Sequence, residues 1–188
     1  MKTVLGAGLA AVAFVVFALV MEAKAADQTI IKGYGAYTFG MSVHTILEAE
    51  PQFHATTPPD WLRRLGAVMY ERDGTVNLGP DLVPQPGSIR LGFVQNHLAF
   101  IDLDVRGQPA YQPDTAAPAQ NDLWHTIHSA ILGVYSRSLI IVDDQREAHE
   151  RLVIRDVWGD TLRATHLGDR VSVQYLIDTI ARAEGGGL

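Results

Sequence analysis

The chain has 188 residues, with 15 basic and 21 acidic side chains, a formal charge of −6 and no cysteine. An acidic balance of this kind argues against nucleic acid or an anionic membrane surface as the main partner. Without thiols there can be no disulfide, thiolate metal site, cysteine nucleophile or lipidated-cysteine anchor, so the fold must be held by its core alone.

Met1-Lys2 makes a small basic start, Val4 to Met21 is an unbroken apolar run, and Ala23-Lys24-Ala25 follows with small residues at an A-x-A spacing. Together they read as a secretory signal peptide over 1–25, leaving one α+β domain over 26–188 in a bacterial periplasm. Retained instead, residues 4–21 would be just long enough to anchor the domain in the inner membrane, facing the periplasm. The remainder carries 13 basic and 20 acidic residues, a formal charge of −7, and Lys32 is its only lysine.

Ala26 to Thr38 is a polar lead-in with Ile30-Ile31 as a short edge strand. In Phe39-Gly40-Met41-Ser42, Ser42 can cap a helix over Val43 to Glu50, with Val43, Ile46 and Leu47 on one face. Pro51 stops it, so the helix is barely two turns and needs packing from elsewhere. After the Pro58-Pro59 loop, Trp61 to Leu65 predicts one more helical turn. Ala67 to Glu71 predicts a strand, stopped by the turn chemistry of Arg72-Asp73-Gly74. Asn77 to Gly87, with three prolines, predicts a loop.

The strongest strand signal is the alternation of Ile89, Leu91 and Phe93, then of Ala99, Ile101, Leu103 and Val105 after a turn at Gln95-Asn96-His97. Two such runs so close together predict an antiparallel hairpin with one buried face. Gly107 to Gln120 reads as a linker. Asn121-Asp122 then offers a cap for the longest helix, whose stripe is Leu123, Ile127, Ala130, Ile131, Val134 and Tyr135. Strands are predicted at Leu139–Val142, Arg151–Val157, Thr161–His166 and through Val171, Val173 and Tyr175. A last helical turn at Asp178–Glu184 precedes a frayed glycine tail. Residues 39–105 and 121–176 thus repeat one order, which predicts two α-β-β-β units in a mainly antiparallel sheet, joined by the linker 107–120, with the helices on one face.

The FGMS cap, the run Leu91-Gly92-Phe93-Val94-Gln95-Asn96-His97-Leu98-Ala99-Phe100-Ile101, the helix segment Ala130-Ile131-Leu132-Gly133-Val134-Tyr135 and the turn Trp158-Gly159-Asp160 together resemble a group of small bacterial envelope domains. The architecture is similar to the small lipoprotein subunit of the outer-membrane barrel-assembly machinery and to the β-lactamase inhibitor protein. The resemblance implies protein binding and carries no catalytic residues, since the matching positions are caps, turns and core. Lacking a lipidated cysteine, the chain departs from the lipoprotein members.

The chemistry-bearing candidates are few. His125 and His128 stand at i, i+3 on the long helix and could share a metal ion, with His149, Asp143 or Asp144 as a third ligand. Equally, they are two histidines on a polar helix face, because no complete ligand spacing such as H-E-x-x-H is present. His44 and Glu48 make an i, i+4 pair on the first helix. Asp102 and Asp104 share one strand face and, with Arg90, would form the solvated side of the sheet. Trp61 and Trp158, near loops and turns, are candidate interface anchors, whereas Trp124 belongs with the core. No nucleophile elbow, P-loop or dinucleotide fingerprint occurs. The sequence therefore points to a non-enzymatic, cofactor-free binding protein whose partner is another envelope protein. It would touch membrane only if residues 4–21 are kept. The alternatives are a periplasmic metal- or small-ligand-binding protein and a signal-anchored subunit of a membrane complex.

Overall fold

The computed structural model describes residues 30–77, 84–107, 121–135, 137–145 and 150–184. The predicted signal peptide, all of the linker except Gly107, and the glycine tail lie outside them. The fold is α+β. A small hairpin of β1 (Gly33–Tyr34) and β2 (Tyr37–Thr38) precedes a helix, α1 (Val43–Ala49). Then come β3 (His54–Thr56), α2 (Asp60–Arg63), β4 (Val68–Val76), β5 (Gln85–Val94) and β6 (His97–Arg106). The second half holds α3 (Asn121–Val134), β7 (Ile140–Asp144), β8 (Arg151–Arg155), β9 (Thr161–Leu167), β10 (Arg170–Leu176) and α4 (Asp178–Glu184). Strands β3 to β10 form one antiparallel sheet in the order β3-β4-β5-β6-β10-β9-β8-β7. No described helix is long and apolar enough to cross a membrane.

The FGMS cap forms as expected. Ser42 is extended, and its Oγ accepts the Thr45 N–H at 3.1 Å, a bond worth about 1 kcal/mol at an N-cap. What the local sequence does not reveal is its attachment. Gly40 N–H donates to Leu98 O, Leu98 N–H to Met41 O and Val43 N–H to Asn96 O. Three main-chain bonds therefore fasten the helix start to the β5–β6 turn. That turn is tight, because Gln95 and Asn96 take φ of 51° and 66°, the double left-handed geometry of a two-residue hairpin.

One face of the sheet carries the main core. Ile89, Leu91, Phe93, Leu98, Ile101, Leu103, Val105, Leu152, Ile154, Leu162, Val171 and Val173 pack there against Ile46 of α1 and Trp124, Ile127 and Ile131 of α3. The expectation of helices on a single face is corrected. Helices α2 and α4 lie on the opposite face, where Leu62 and Ile180 bury Met69, Ala99, Phe100 and Leu176. The cause is the alternation itself: Phe100 and Leu176 point away from the main core and need a cover of their own. Gly92 leaves room for it, since a Cβ there would stand 3.0 Å from Leu62 Cδ2.

Other differences have local causes. Strand β4 runs straight through Arg72-Asp73-Gly74, because these residues pair with Ile89, Ser88 and Gly87 of β5. Arg72 faces inward, and its Nε lies 3.1 Å from Glu50 Oε2. Residues 85–87, expected in a loop, open β5, and 78–83 lie outside the described residues. Ile30-Ile31 forms no strand; Ile31 is buried and its N–H donates to Asp156 Oδ2 at 2.9 Å.

Candidate functional site

Away from α2 and α4, the second face of the sheet is polar, and among the described residues no helix or second sheet packs over it. Register places its side chains in rows. One row crosses Glu71, Arg90, Asp102, Gln174, Arg163 and Val153. The next crosses Asp73, Ser88, Asp104, Ser172, Thr165 and Arg151. Residues directly opposite across strands share a face, so these rows are surface neighbours. Acids gather on β4 and β6 and arginines on β8 and β9, where Asp144 of β7 stands directly opposite Arg151.

Asp102 and Asp104 share this face as predicted, but they are not solvated. Asp102 is only 3% exposed and Asp104 9%. Both sit on the central strand β6, where partners lie across them. Arg90 Nη2 donates to Asp102 Oδ2, Ser172 Oγ donates to Asp102 Oδ1 at 3.0 Å, and Arg170 Nη1 reaches Asp104 Oδ2 at 3.4 Å. Burial pushes the Asp102 carboxyl above the usual value of 3.8, against the pull of Arg90 and Ser172. The cluster is a built charge network.

Trp61 and Trp158 have different fates. Trp61 lies on α2, half-buried, and meets the Phe100 ring edge-on at 5.5 Å. Trp158 is 70% exposed, beside the equally exposed Val157, at the tip of the β8–β9 turn. That tip is held from below. Asp156, itself buried, accepts the N–H groups of Trp158 at 2.8 Å and Asp160 at 3.0 Å.

His125 and His128 do not point together. His125 is exposed, whereas His128 is buried beside the Trp124 ring and its Nε2 lies 3.0 Å from Asp143 Oδ1. The predicted loop carboxylate thus meets His128 as a hydrogen-bond partner. Trp124 is core, as expected, and stacks on His166, whose Nδ1 pairs with Glu150. No three His, Asp or Glu side chains converge on a metal position among the described residues, and His149 lies outside them. His44 and Glu48 form the expected exposed pair, 3.1 Å apart.

Sequence reading missed a cavity of about 410 Å³ between the β1–β2 hairpin, α3 and β10. Tyr34, Tyr135 and Tyr175 line it, with Ile127 and Ile131 on the apolar wall and Lys32 at the rim. Tyr34 Oη donates to Asn77 O and accepts the Asn77 N–H, at 2.6 and 2.8 Å. Burial pushes the Tyr135 phenol up to about 12 and raises that of Tyr175 well above its ordinary 10.0. The signal that could have found the cavity was the Gly-Tyr-Gly hairpin, which lays a tyrosine over the sheet. Compared with protein families, curated proteins and solved structures, the chain has no match in any of the three.

Proposed function

We propose that the chain is an exported, non-enzymatic binding protein of the bacterial envelope, and that another protein docks on the polar sheet face. The observation that carries this reading is the ordered charge pattern across adjacent strands from β4 to β8, with no second layer over it among the described residues. A solvated sheet needs only scattered polar side chains; a network with carboxylates buried in it costs desolvation. Trp158, held out on a rigid turn, supplies an aromatic anchor at the margin. The export signal over 1–25, with its retained-anchor alternative, and the periplasmic location stay part of this reading.

The same proposal includes the two α-β-β-β units. In its favour, β3-β4-β5-β6 and β7-β8-β9-β10 are both meanders, each follows a helix packed on the main core, and they meet through their last strands. Each meander has four strands, one more than the α-β-β-β unit holds. Strand β3 is the added strand of the first half, while all four of the second were expected from the sequence.

The test places a photo-crosslinking amino acid at Gln174 on the polar face, or at His125 on the outer side of α3, and irradiates cells of the source bacterium. A discrete crosslinked protein from Gln174 alone is expected; one from His125 alone would overturn the assignment. A W158A variant should fold normally and lose crosslinking yield.

A second reading is favoured by the cavity: a small amphipathic ligand resting on the tyrosines, with its polar end toward Lys32. Quenching of tyrosine fluorescence by candidate ligands, abolished in I131W by filling the cavity, would support it. Unchanged quenching in that variant would reject it.

A further inference from the structure

Resting on the reading of the tyrosine cavity as a ligand site, we infer that its ligand is a small organic monocarboxylate whose apolar body also carries an uncharged oxygen acceptor. That acceptor takes the free hydroxyls of Tyr135 and Tyr175, and the carboxylate lies at the rim with Lys32.

Four tyrosines line the cavity, and the protein supplies hydrogen-bond partners for only two. Tyr34 Oη is used twice by the main chain of Asn77, and Tyr37 Oη donates to Glu50 Oε1 at 2.6 Å. Tyr135 and Tyr175 are 7% and 8% exposed, yet among the described residues neither hydroxyl makes a hydrogen bond. Buried hydroxyls without a partner are exceptions in folded proteins, and each calls for one. Among the described residues, the side-chain atoms sealed off and unpartnered are all arginine Nε atoms, so neither phenol oxygen is sealed. The space that both residues border is the cavity, and a partner reaches them from there.

Protonation fixes the kind of partner. Burial raises both phenols above their ordinary 10.0, so each keeps a proton to donate at neutral pH. The charge of Asp156 reaches Tyr135 and also holds it neutral. An anionic group is repelled there; a carbonyl or ether oxygen is not. The rim has the opposite sign. Lys32 is exposed and without an ion pair among the described residues, and no carboxylate lines the cavity. In a chain of −6, such a mouth favours one anionic group. Ile127, Ile131 and Val173 supply apolar wall for the body of the ligand. The volume of about 410 Å³ is near the lower end of the ligand-pocket range of about 300–1,000 Å³, which suits a single ring with short substituents.

Calorimetric titration of the purified protein with three probes of similar shape tests this. They are para-acetylbenzoate, para-isopropylbenzoate without the acceptor, and para-acetylbenzamide without the charge. The first should bind most tightly. Y135F and Y175F should each weaken it about fivefold, the scale of one hydrogen bond, and leave para-isopropylbenzoate unchanged. Both variants should unfold at the wild-type temperature, because neither hydroxyl holds a protein group; a merely structural role would lower it. K32Q should weaken para-acetylbenzoate about threefold and leave para-acetylbenzamide unchanged. Equal affinity for the acetyl and isopropyl compounds would overturn the inference, since water would then serve the phenols. No binding of para-acetylbenzoate, or unchanged binding in Y135F/Y175F, would also overturn it. I131W should abolish binding of every probe by filling the cavity, and V134W, at a half-exposed position of the same lining, does so if I131W fails to fold. Loss of binding in these variants together with equal probe affinities would sink this inference alone and keep the cavity as a ligand site. Full binding in them would remove the cavity reading itself.

Discussion

Ser172 on β10 donates its hydroxyl to Asp102 Oδ1 on β6 across the seam where the two halves of the sheet meet. The two residues are not direct register partners, since Ser172 faces Asp104 and Asp102 faces Gln174. The bond therefore runs diagonally and ties two rows of the polar face together. Removing it should be felt: S172A leaves an oxygen of a nearly buried carboxylate short of one donor. A loss of about 1–2 kcal/mol is expected, read as a lower urea midpoint with an unchanged slope.

Asp102 also gives a pH signature. Its carboxyl is raised in the folded chain by burial, so the folded state holds that proton more tightly than the unfolded state does. Stability from this group is present at low pH and declines as pH rises from 3.8 through the raised value. In D102N that decline is absent. The stability of D102N minus that of the wild type should thus climb across that window, as followed by denaturant titrations at stepped pH. A flat difference would mean that Asp102 titrates normally.

Asp156 joins distant parts of the chain by accepting from Ile31, Trp158 and Asp160. D156A should cost about 3 kcal/mol, because three main-chain donors lose their acceptor and not all can reach water. D156N keeps one accepting oxygen and should cost roughly half as much. Hydrogen exchange should show the Ile31 amide losing protection in D156A while β5 and β6 stay closed.

At alkaline pH the tyrosines should hold back. Tyr37 and Tyr135 are pushed up to about 12, in each case first by burial, with the acceptor Glu50 adding to it at Tyr37 and the charge of Asp156 at Tyr135. The folded state keeps these phenols protonated above the ordinary 10.0, so stability falls as pH climbs through 10.0 toward 12. Absorbance near the phenolate band should rise in two stages, exposed tyrosine first and the rest together with unfolding. A single transition near pH ~10 in the native protein would contradict this.

Much of the chain was legible because its signals are local. The Ser42 cap, the alternation of Ile89, Leu91 and Phe93, the turn at Gln95-Asn96 and the stripe of Ile127 and Ile131 each need only near neighbours to be read. Trp124 followed from helical period alone. The site was less legible. Asp102 and Asp104 were correctly placed on one strand face, but their burial depends on Arg90, Arg170 and Ser172, brought in from β5 and β10.

By itself, then, the sequence determined the identity and order of most helices and strands, the acidic balance and the absence of thiol chemistry. Only the tertiary structure decided which strands became neighbours. It carried β4 through the apparent turn at Arg72-Asp73-Gly74, and it laid α2 and α4 over Phe100 and Leu176. It also aligned Arg151, Arg155 and Arg163 on one face. Strand periodicity says which side a residue faces but not which distant strand lies beside it; that register comes from burying the whole core at once.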